Sequence, residues 1–228
     1  MLMKLFRDKR VRYRNLVLII LPFIIIAGVC GFVAIRSTGK IIDNTAGVAT
    51  NDKKVIDSMD YHLRSNATQL QTQLFDELSD ALNSGDSFNI AKLIAENFVA
   101  DFYTWTNKSG SYDVGGMYYV YPHSKINIYQ QARDQYYKYV TYYINTYGAD
   151  KLLEVDSITA EVGNEVGKYD YNGKSYDSYF VTCDWTYKDD TSLDKNDYVT
   201  HEYFNVIFDN EDNRYEIVQA YGDDNEWV

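Results

Sequence analysis

The hydrophobic positions of this chain follow three successive patterns, and the first is a continuous apolar run. Residues 16–35 read LVLIILPFIIIAGVCGFVAI and contain no charged side chain. A helix rises about 1.5 Å per residue, so this run spans roughly 30 Å, the thickness of the hydrocarbon core of a bilayer. Leu16–Ile35 is therefore predicted to be a transmembrane helix, and the aperiodic residues 36–50 are predicted to form a linker.

The second pattern repeats apolar residues at steps of three and four, which is typical of an α-helix. The first such stripe predicts a juxtamembrane or stalk helix over residues 51–84, ended by Gly85. The members of this stripe are Ile56, Met59, Leu63, Ala67, Leu70, Leu74, Leu78 and Leu82. The helix either stands as a stalk or packs on the following domain, and we favour packing for residues 67–84.

Two more helices are predicted from the same spacing. Phe88–Thr106 is predicted to be a core helix with Ser87 as its N-cap. Its apolar face comprises Ala91, Ile94, Phe98, Phe102 and Trp105. Residues 107–116 are rich in Gly, Ser and Asn and are predicted to form a loop. A third helix is predicted from Ser124 to about Tyr147, because Gly148 then stands where helices commonly end in a left-handed residue.

The third pattern, from Leu152 onward, alternates apolar and polar residues and predicts β-strands. Asn172-Gly173 favours a type I′ hairpin turn, because both central residues of that turn need positive φ. The long strand after the turn is predicted to bury one face and to leave Asp184 on the other. The buried face comprises Tyr179, Val181, Cys183, Trp185 and Tyr187. A bulge is expected near Ser157, and two later strands are expected at Phe204–Phe208 and Tyr215–Tyr221.

Helices followed by consecutive antiparallel strands define an α+β fold. We therefore predict helices packed on a curved antiparallel sheet of four to five strands, with a cone-like shape. This domain is expected to cover residues 85–222, and residues 223–228 form an acidic tail. Residues 1–15 are a basic tail that precedes the predicted membrane helix.

The distribution of charge predicts the orientation of the chain in the membrane. The first 40 residues carry eight basic side chains and one acidic side chain, whereas the rest carries 14 basic and 32 acidic side chains. Since basic residues flank the cytoplasmic end of a membrane helix, the N-terminus is expected in the cytoplasm and the bulk of the chain outside it. A cleaved signal peptide is the rival interpretation, but its apolar region would usually be shorter, about 7–15 residues. A domain this acidic repels phosphates, so no nucleic-acid partner is expected.

The predicted membrane helix carries small residues at a spacing that favours close approach of two helices. Ala27 and Gly31 are four residues apart, as are Cys30 and Ala34. They suggest a homo-oligomer formed through this face, although such pairs are also frequent by chance. The other cysteine, Cys183, lies outside the span, so the chain is expected to hold no internal disulfide.

Catalytic and metal-binding motifs are incomplete wherever they begin. His201-Glu202 opens like a zinc-protease helix, but Asn205 stands where the second histidine is needed. The run from Asp209 to Asn213 opens like a calcium loop, but Arg214 replaces the required glycine. We therefore expect no enzyme, metal or cofactor. The remaining enzymatic alternative is a pocket between the helices and the sheet into which Asp184 or His201 points.

The order of elements resembles the membrane-anchored assembly factors of conjugative type IV secretion, whose outer domain is a nuclear-transport-factor-2-like (cystatin-like) cone. The resemblance rests on the helix with FVADFYTW and on the strands near 179–187, 203–208 and 215–221. It implies a non-enzymatic interaction module that binds protein partners in an envelope complex. The alternative is a ligand-binding or sensory domain with a pocket lined by aromatic residues.

Overall fold

The computed structural model describes residues 54–222, which form helices packed on a curved antiparallel sheet. The helices are α1 (Gln69–Ser84), α2 (Ser87–Phe102), α3 (Pro122–Asp134) and α4 (Val140–Tyr147). The strands are β1 (Lys54–Ile56), β2 (Tyr61–Leu63), β3 (Val155–Val162), β4 (Gly167–Tyr171), β5 (Lys174–Tyr187), β6 (His201–Asp209) and β7 (Arg214–Tyr221). The predicted α+β class is confirmed. The predicted span Leu16–Ile35 and the tail at 223–228 lie outside the described residues, and no helix within 54–222 is long and apolar enough to cross a membrane.

The main sheet has five strands, and β5 is its centre. The strand order is β3-β5-β6-β7, and β4 pairs with the N-terminal half of β5 while β3 pairs with its C-terminal half. The predicted bulge near Ser157 is present, and a second irregularity lies between Asn205 and Val206. Bulges bend a strand and increase its twist, so both contribute to the curvature that lets the sheet wrap around α2.

The long strand β5 has the predicted register. Its interior residues from Tyr179 to Tyr187 are at most 5% exposed at every second position, whereas the side chain of Asp184 is 64% exposed. The hairpin turn that leads into β5 also follows the prediction, with φ of 50° at Asn172 and 77° at Gly173. The alternation and the turn residues together therefore determine which face of the sheet meets the helices.

Helices α1 and α2 cover the interior face of the sheet. Thr68 and Gln71 form a capping box at the start of α1, and Gly85 ends the helix in the left-handed conformation with φ of 74°. The predicted N-cap of α2, Ser87, is wrong by one residue, because the side chain of Asp86 accepts the hydrogen bond from the Asn89 N–H. Helix α1 packs on the domain, which is the alternative that the sequence favoured for residues 67–84.

The prediction of a helix from residue 51 is wrong for residues 54–63, which form the hairpin β1–β2. The spacing of Ile56, Met59 and Leu63 fits a helix but also fits a short hairpin with a turn between its strands. Tertiary contacts decide the outcome, because Tyr61 is fully buried and its hydroxyl donates to the Tyr215 carbonyl at 2.7 Å and accepts from the Tyr215 N–H at 3.1 Å. The hairpin thereby caps the edge strand β7.

The single helix predicted from Ser124 to Tyr147 is also wrong, because residues 135–139 break it into α3 and α4. The break turns Tyr137 fully into the core. The hydroxyl of Tyr137 donates to the Phe102 carbonyl and accepts from the Gly115 N–H. The break thus places one tyrosine where it bridges the end of α2 and the following loop.

Candidate functional site

The interior between α2 and the sheet is filled by aromatic rings. The rings of Tyr103 and Trp185 lie 4.4 Å apart, and those of Trp105 and Tyr136 lie 5.0 Å apart. Tyr103 and Trp105 are each 1% exposed. The aromatic residues that could have lined a ligand pocket therefore pack against one another.

Three glutamates are buried in or beside this core. Glu202 faces the interior opposite Cys183, and neither of its carboxyl oxygens makes a hydrogen bond of ordinary geometry. Burial raises the pKa of Glu202 to about 8, and interaction with the Tyr103 hydroxyl offsets only part of this rise. Burial likewise raises the pKa of Glu216 to about 8 and that of Glu96 to about 7. Arg214 Nε lies 2.8 Å from Glu216 Oε1 and opposes part of its rise. Among the three, Glu202 therefore combines a raised pKa with the absence of a cation beside it.

Cys183 is an inert thiol in this setting. It is fully buried in the middle of β5, and burial raises its pKa above the ordinary range, with nearby Glu96 and Glu202 adding to the rise. A thiolate is the nucleophilic form of cysteine. Cys183 therefore has neither the charge nor the access that a catalytic cysteine needs.

A second group of buried charges joins the residue after β2, the end of α2 and the loop at 107–116, and we call it the ionic clasp. Its members are Arg64, Asp101, Lys108 and Asp113. Arg64 Nε lies 3.0 Å from Asp101 Oδ1, and Lys108 Nζ lies 2.8 Å from the same oxygen. The two cations hold the pKa of Asp101 well below its usual range despite burial. Burial lowers the pKa of Lys108 to about 8, although Asp101 partly opposes this change.

The geometry around the clasp indicates a structural role. The side chain of Lys108 has no exposed surface, and its amine also donates to Asn107 Oδ1 at 2.9 Å. The loop is drawn so close to α2 that a Cβ on Gly115 would stand 2.2 Å from the Asp101 carbonyl oxygen. A substrate could not reach the Lys108 amine without opening this loop, so the clasp fixes the loop rather than performing chemistry.

The outer face of the sheet carries the histidine and the acid that the sequence singled out. His201 Nδ1 lies 2.6 Å from Asp184 Oδ1, and the His201 ring contacts Tyr203 with centroids 4.6 Å apart. Both groups lie on the solvent side of the sheet, as the alternation predicted for Asp184. The enzymatic alternative, in which they point into an interior pocket, is therefore wrong for this pair.

A group of tyrosine rings, exposed except for the half-buried Tyr143, surrounds α4, and we call it the tyrosine face. It comprises Tyr112, Tyr139, Tyr142, Tyr143 and Tyr147. Tyr142 is 62% exposed and Tyr139 is 53% exposed, and the ring of Tyr143 contacts both. Hydrogen bonds between Ser111 and Thr141 hold the Tyr112 loop against the helix. Helix α4 contains no charged residue.

The metal-binding interpretations find no support in the geometry of residues 54–222. No group of three or more His, Cys, Asp and Glu side chains in that range could hold an ion. Asp209, where a calcium loop seemed to begin, accepts the Glu211 N–H at 2.8 Å and shapes the β6–β7 turn. His62 pairs with Asp60 at 2.8 Å, and His123 packs against Tyr121.

Two open surface depressions lie beside α1. One, of about 580 Å³, is lined by Thr68, Thr72, Asp76 and Asp80 among others. The other, of about 660 Å³, is lined by residues that include Asn107, Asp150 and Glu154. Both are wide and polar, unlike the enclosed apolar clefts that hold small molecules. The predicted helix-interface residues Ala27, Cys30, Gly31 and Ala34 lie outside the described part of the chain.

No protein-family model matches this chain, and no curated protein or solved structure matches it. The function must therefore be inferred from the surfaces and the chemistry of the chain itself.

Proposed function

We propose that this chain is a single-pass membrane protein whose extracytoplasmic domain is a non-enzymatic protein-interaction module. The observation that carries the proposal is the tyrosine face. Tyrosine is enriched at protein interfaces because its ring buries a large area with only two rotatable bonds to fix. The rings of Tyr142 and Tyr147 on the charge-free α4 are 62% and 44% exposed, and that of Tyr139 just before the helix is 53% exposed with Lys138 Nζ 5.2 Å from its centre. Such a surface is suited to that role.

The packed interior supports the same proposal and weighs against the ligand-binding alternative. A small-molecule site needs a concave cleft with a few convergent polar groups. Trp185 and Tyr103 occupy the space that a pocket in a cone-like domain would need. We infer that any partner is bound on the outer surface, as expected for a subunit of a conjugation or secretion envelope complex with a nuclear-transport-factor-2-like domain.

Site-specific photo-crosslinking in native membranes tests the interaction. A photoreactive residue replaces Tyr142 in the full chain, and a matched chain carries it at the exposed Glu77 of α1. The expected result is a discrete adduct from position 142 that is absent from position 77 and is lost when Tyr139 is also replaced by Ala. Absence of an adduct from position 142, or equal adducts from positions 142 and 77, would refute the interaction role of the tyrosine face.

Topology is tested separately. Protease added to spheroplasts should degrade the region that contains residues 54–222, because this region is proposed to lie outside the cytoplasm. Protection of this region would reverse the orientation inferred from the basic N-terminal tail.

A further inference from the structure

A second surface, on the outer face of the sheet, interrupts an otherwise polar pattern. The outward positions of β5 near its C-terminal end are Thr182, Asp184 and Thr186, yet Phe180 stands in the same row and is 42% exposed. The Phe180 ring stacks with Tyr203 of β6 at 5.6 Å, with an interplanar angle of 21°. Tyr221 of β7 continues the row, 6.2 Å from Tyr203. One aromatic row thus crosses three strands of this face, separate from the buried cluster that Tyr121, Tyr176, Ile207 and Val218 form at the other end of the same face.

Two carboxylates border the rings. Asp184 lies on β5 with its side chain 64% exposed, and although Oδ1 lies 2.6 Å from His201 Nδ1, the carboxylate faces solvent. Glu161 of β3 is exposed and pairs with Thr182, which places it beside β5 between the rows of Phe180 and Asp184. Within the described sheet, no lysine or arginine occupies β3, residues 180–186 of β5, or β6. We call Glu161, Phe180, Asp184 and Tyr203 the outer strip.

We propose that the outer strip binds an arginine-bearing segment of a partner protein. A guanidinium group stacks on aromatic rings and donates paired hydrogen bonds to carboxylates. The outer strip offers both kinds of contact within two strand spacings. A second copy of this chain fits less well, because it would bring Glu161 and Asp184 against their own copies within a domain that is strongly acidic throughout.

This inference goes beyond the proposed function, because the outer strip shares no residue with the tyrosine face. The two surfaces lie on different elements, namely α4 with its neighbouring loop and the strands β3, β5 and β6. A domain with two chemically distinct faces could bridge two partners. The partner that fits the outer strip is an extended segment with arginine at alternate positions. Alternate residues of a strand point to one side, so these arginines would all face the strip.

A peptide titration on the full chain in detergent tests the proposal. The probe is the blocked heptapeptide Arg-Thr-Arg-Thr-Arg-Thr-Arg, and the comparison probe carries Lys in place of Arg. The Arg peptide should bind several-fold more tightly than the Lys peptide, because lysine lacks the planar group. Phe180→Ala and Asp184→Asn should each weaken its binding about tenfold, equivalent to about 1.4 kcal/mol.

Matched variants separate specific binding from general attraction to an acidic domain. Ile126→Ala on α3 and Asp170→Asn on β4, both outside the two proposed surfaces, should leave the affinity unchanged. All four side chains are exposed, and unchanged thermal unfolding would show that each variant is folded. Equal losses in all four variants, equal binding of both peptides, or no binding would overturn the proposal.

A different occupant would also overturn it. Self-association in sedimentation equilibrium that disappears in Phe180→Ala would identify a second copy as the occupant. Each of these failures leaves the photo-crosslinking from position 142 unaffected, so the outer strip and the interaction role of the tyrosine face can fail independently.

Discussion

Replacing Glu202 with Gln should stabilise the folded protein at pH 8 and change its stability little at pH 4. Glu202 is fully buried on the interior face of β6, and burial raises its pKa from 4.5 to about 8. The folded state therefore binds more protons than the unfolded state between these pH values. By linkage, the free energy of unfolding falls as pH rises through this window and levels off above pH 8.

The size of the effect follows from the same two values. A tenfold difference in proton affinity corresponds to about 1.4 kcal/mol. The rise in the pKa of Glu202 from 4.5 to about 8 therefore lowers the free energy of unfolding at pH 8 by at most about 5 kcal/mol. This is an upper bound, because a local opening that lets water reach the carboxylate costs less. The neutral amide of Gln has nearly the same shape and cannot ionise, so Glu202→Gln removes this cost.

The assay is a urea titration of the full chain in detergent at pH 4, 6 and 8, followed by tryptophan fluorescence. The quantity to compare at each pH is the free energy of unfolding of the variant minus that of the wild type. This difference is needed because Glu96 and Glu216 also lower the stability of both proteins as pH rises. Glu161→Gln, at an exposed position, is the matched control and should show no gain that depends on pH. If the difference in unfolding free energy between Glu202→Gln and wild type stays constant from pH 4 to pH 8, Glu202 is not a buried neutral acid.

Three further predictions test the packing by denaturant titration. Trp185→Ala should destabilise the protein by about 3–5 kcal/mol, as for other buried aromatic residues. Asp184→Ala, at an exposed position, should cost less than about 1 kcal/mol. The reverse order of these two costs would contradict the register of β5. Gly115→Ala should cost about 1–3 kcal/mol, because the added Cβ meets the Asp101 carbonyl, and a cost as small as that of Gly163→Ala would contradict this close approach. Lys108→Met should cost about 3 kcal/mol, because it leaves Asp101 buried with one cation fewer, and a neutral result would show that the ionic clasp does not hold the loop.

The strands were predictable from the sequence because their determinants are local. Alternation along β5 separates Val181 and Trp185 from Asp184, and positive φ at Asn172 and Gly173 defines the turn before it. Shifting such a strand by one residue would expose its whole apolar face. One register therefore satisfies the pattern, and no long-range information is needed to find it.

The hairpin β1–β2 and the break between α3 and α4 were not predictable in this way. Both depend on a tyrosine hydroxyl that finds a partner far along the chain, Tyr61 at Tyr215 and Tyr137 at Phe102. Local spacing contains no information about these partners. The spacing of Ile56, Met59 and Leu63 favours a helix, whereas the burial of Tyr61 against β7 is compatible with the hairpin that the structure contains.

The candidate surfaces were only partly visible in the sequence. The ionic clasp brings together Arg64, Asp101 and Lys108 from three elements, and the sequence presented Lys108 as one polar residue in a loop. Tyr137, Tyr139 and Tyr142 lie too close together in the sequence for all three to face one core, which indicates that some of them are exposed. Which of the three turns inward depends on the helix break, and so on tertiary structure.

The high tyrosine content of the chain divides into two roles. In the core, tyrosine hydroxyls join distant elements by hydrogen bonds to backbone carbonyls, as Tyr61 does at β7, Tyr137 at the end of α2, and Tyr187 at Val199. Phenylalanine could fill the same volumes but would leave those carbonyls without this partner, so the core requires tyrosine. Tyr139 and Tyr142 have no such structural requirement, since they are more than half exposed. A drift in composition would explain one such residue, but here Tyr139, Tyr142 and Tyr147 all pack their exposed rings on Tyr143, and exposed apolar patches of this kind are a feature of interaction sites.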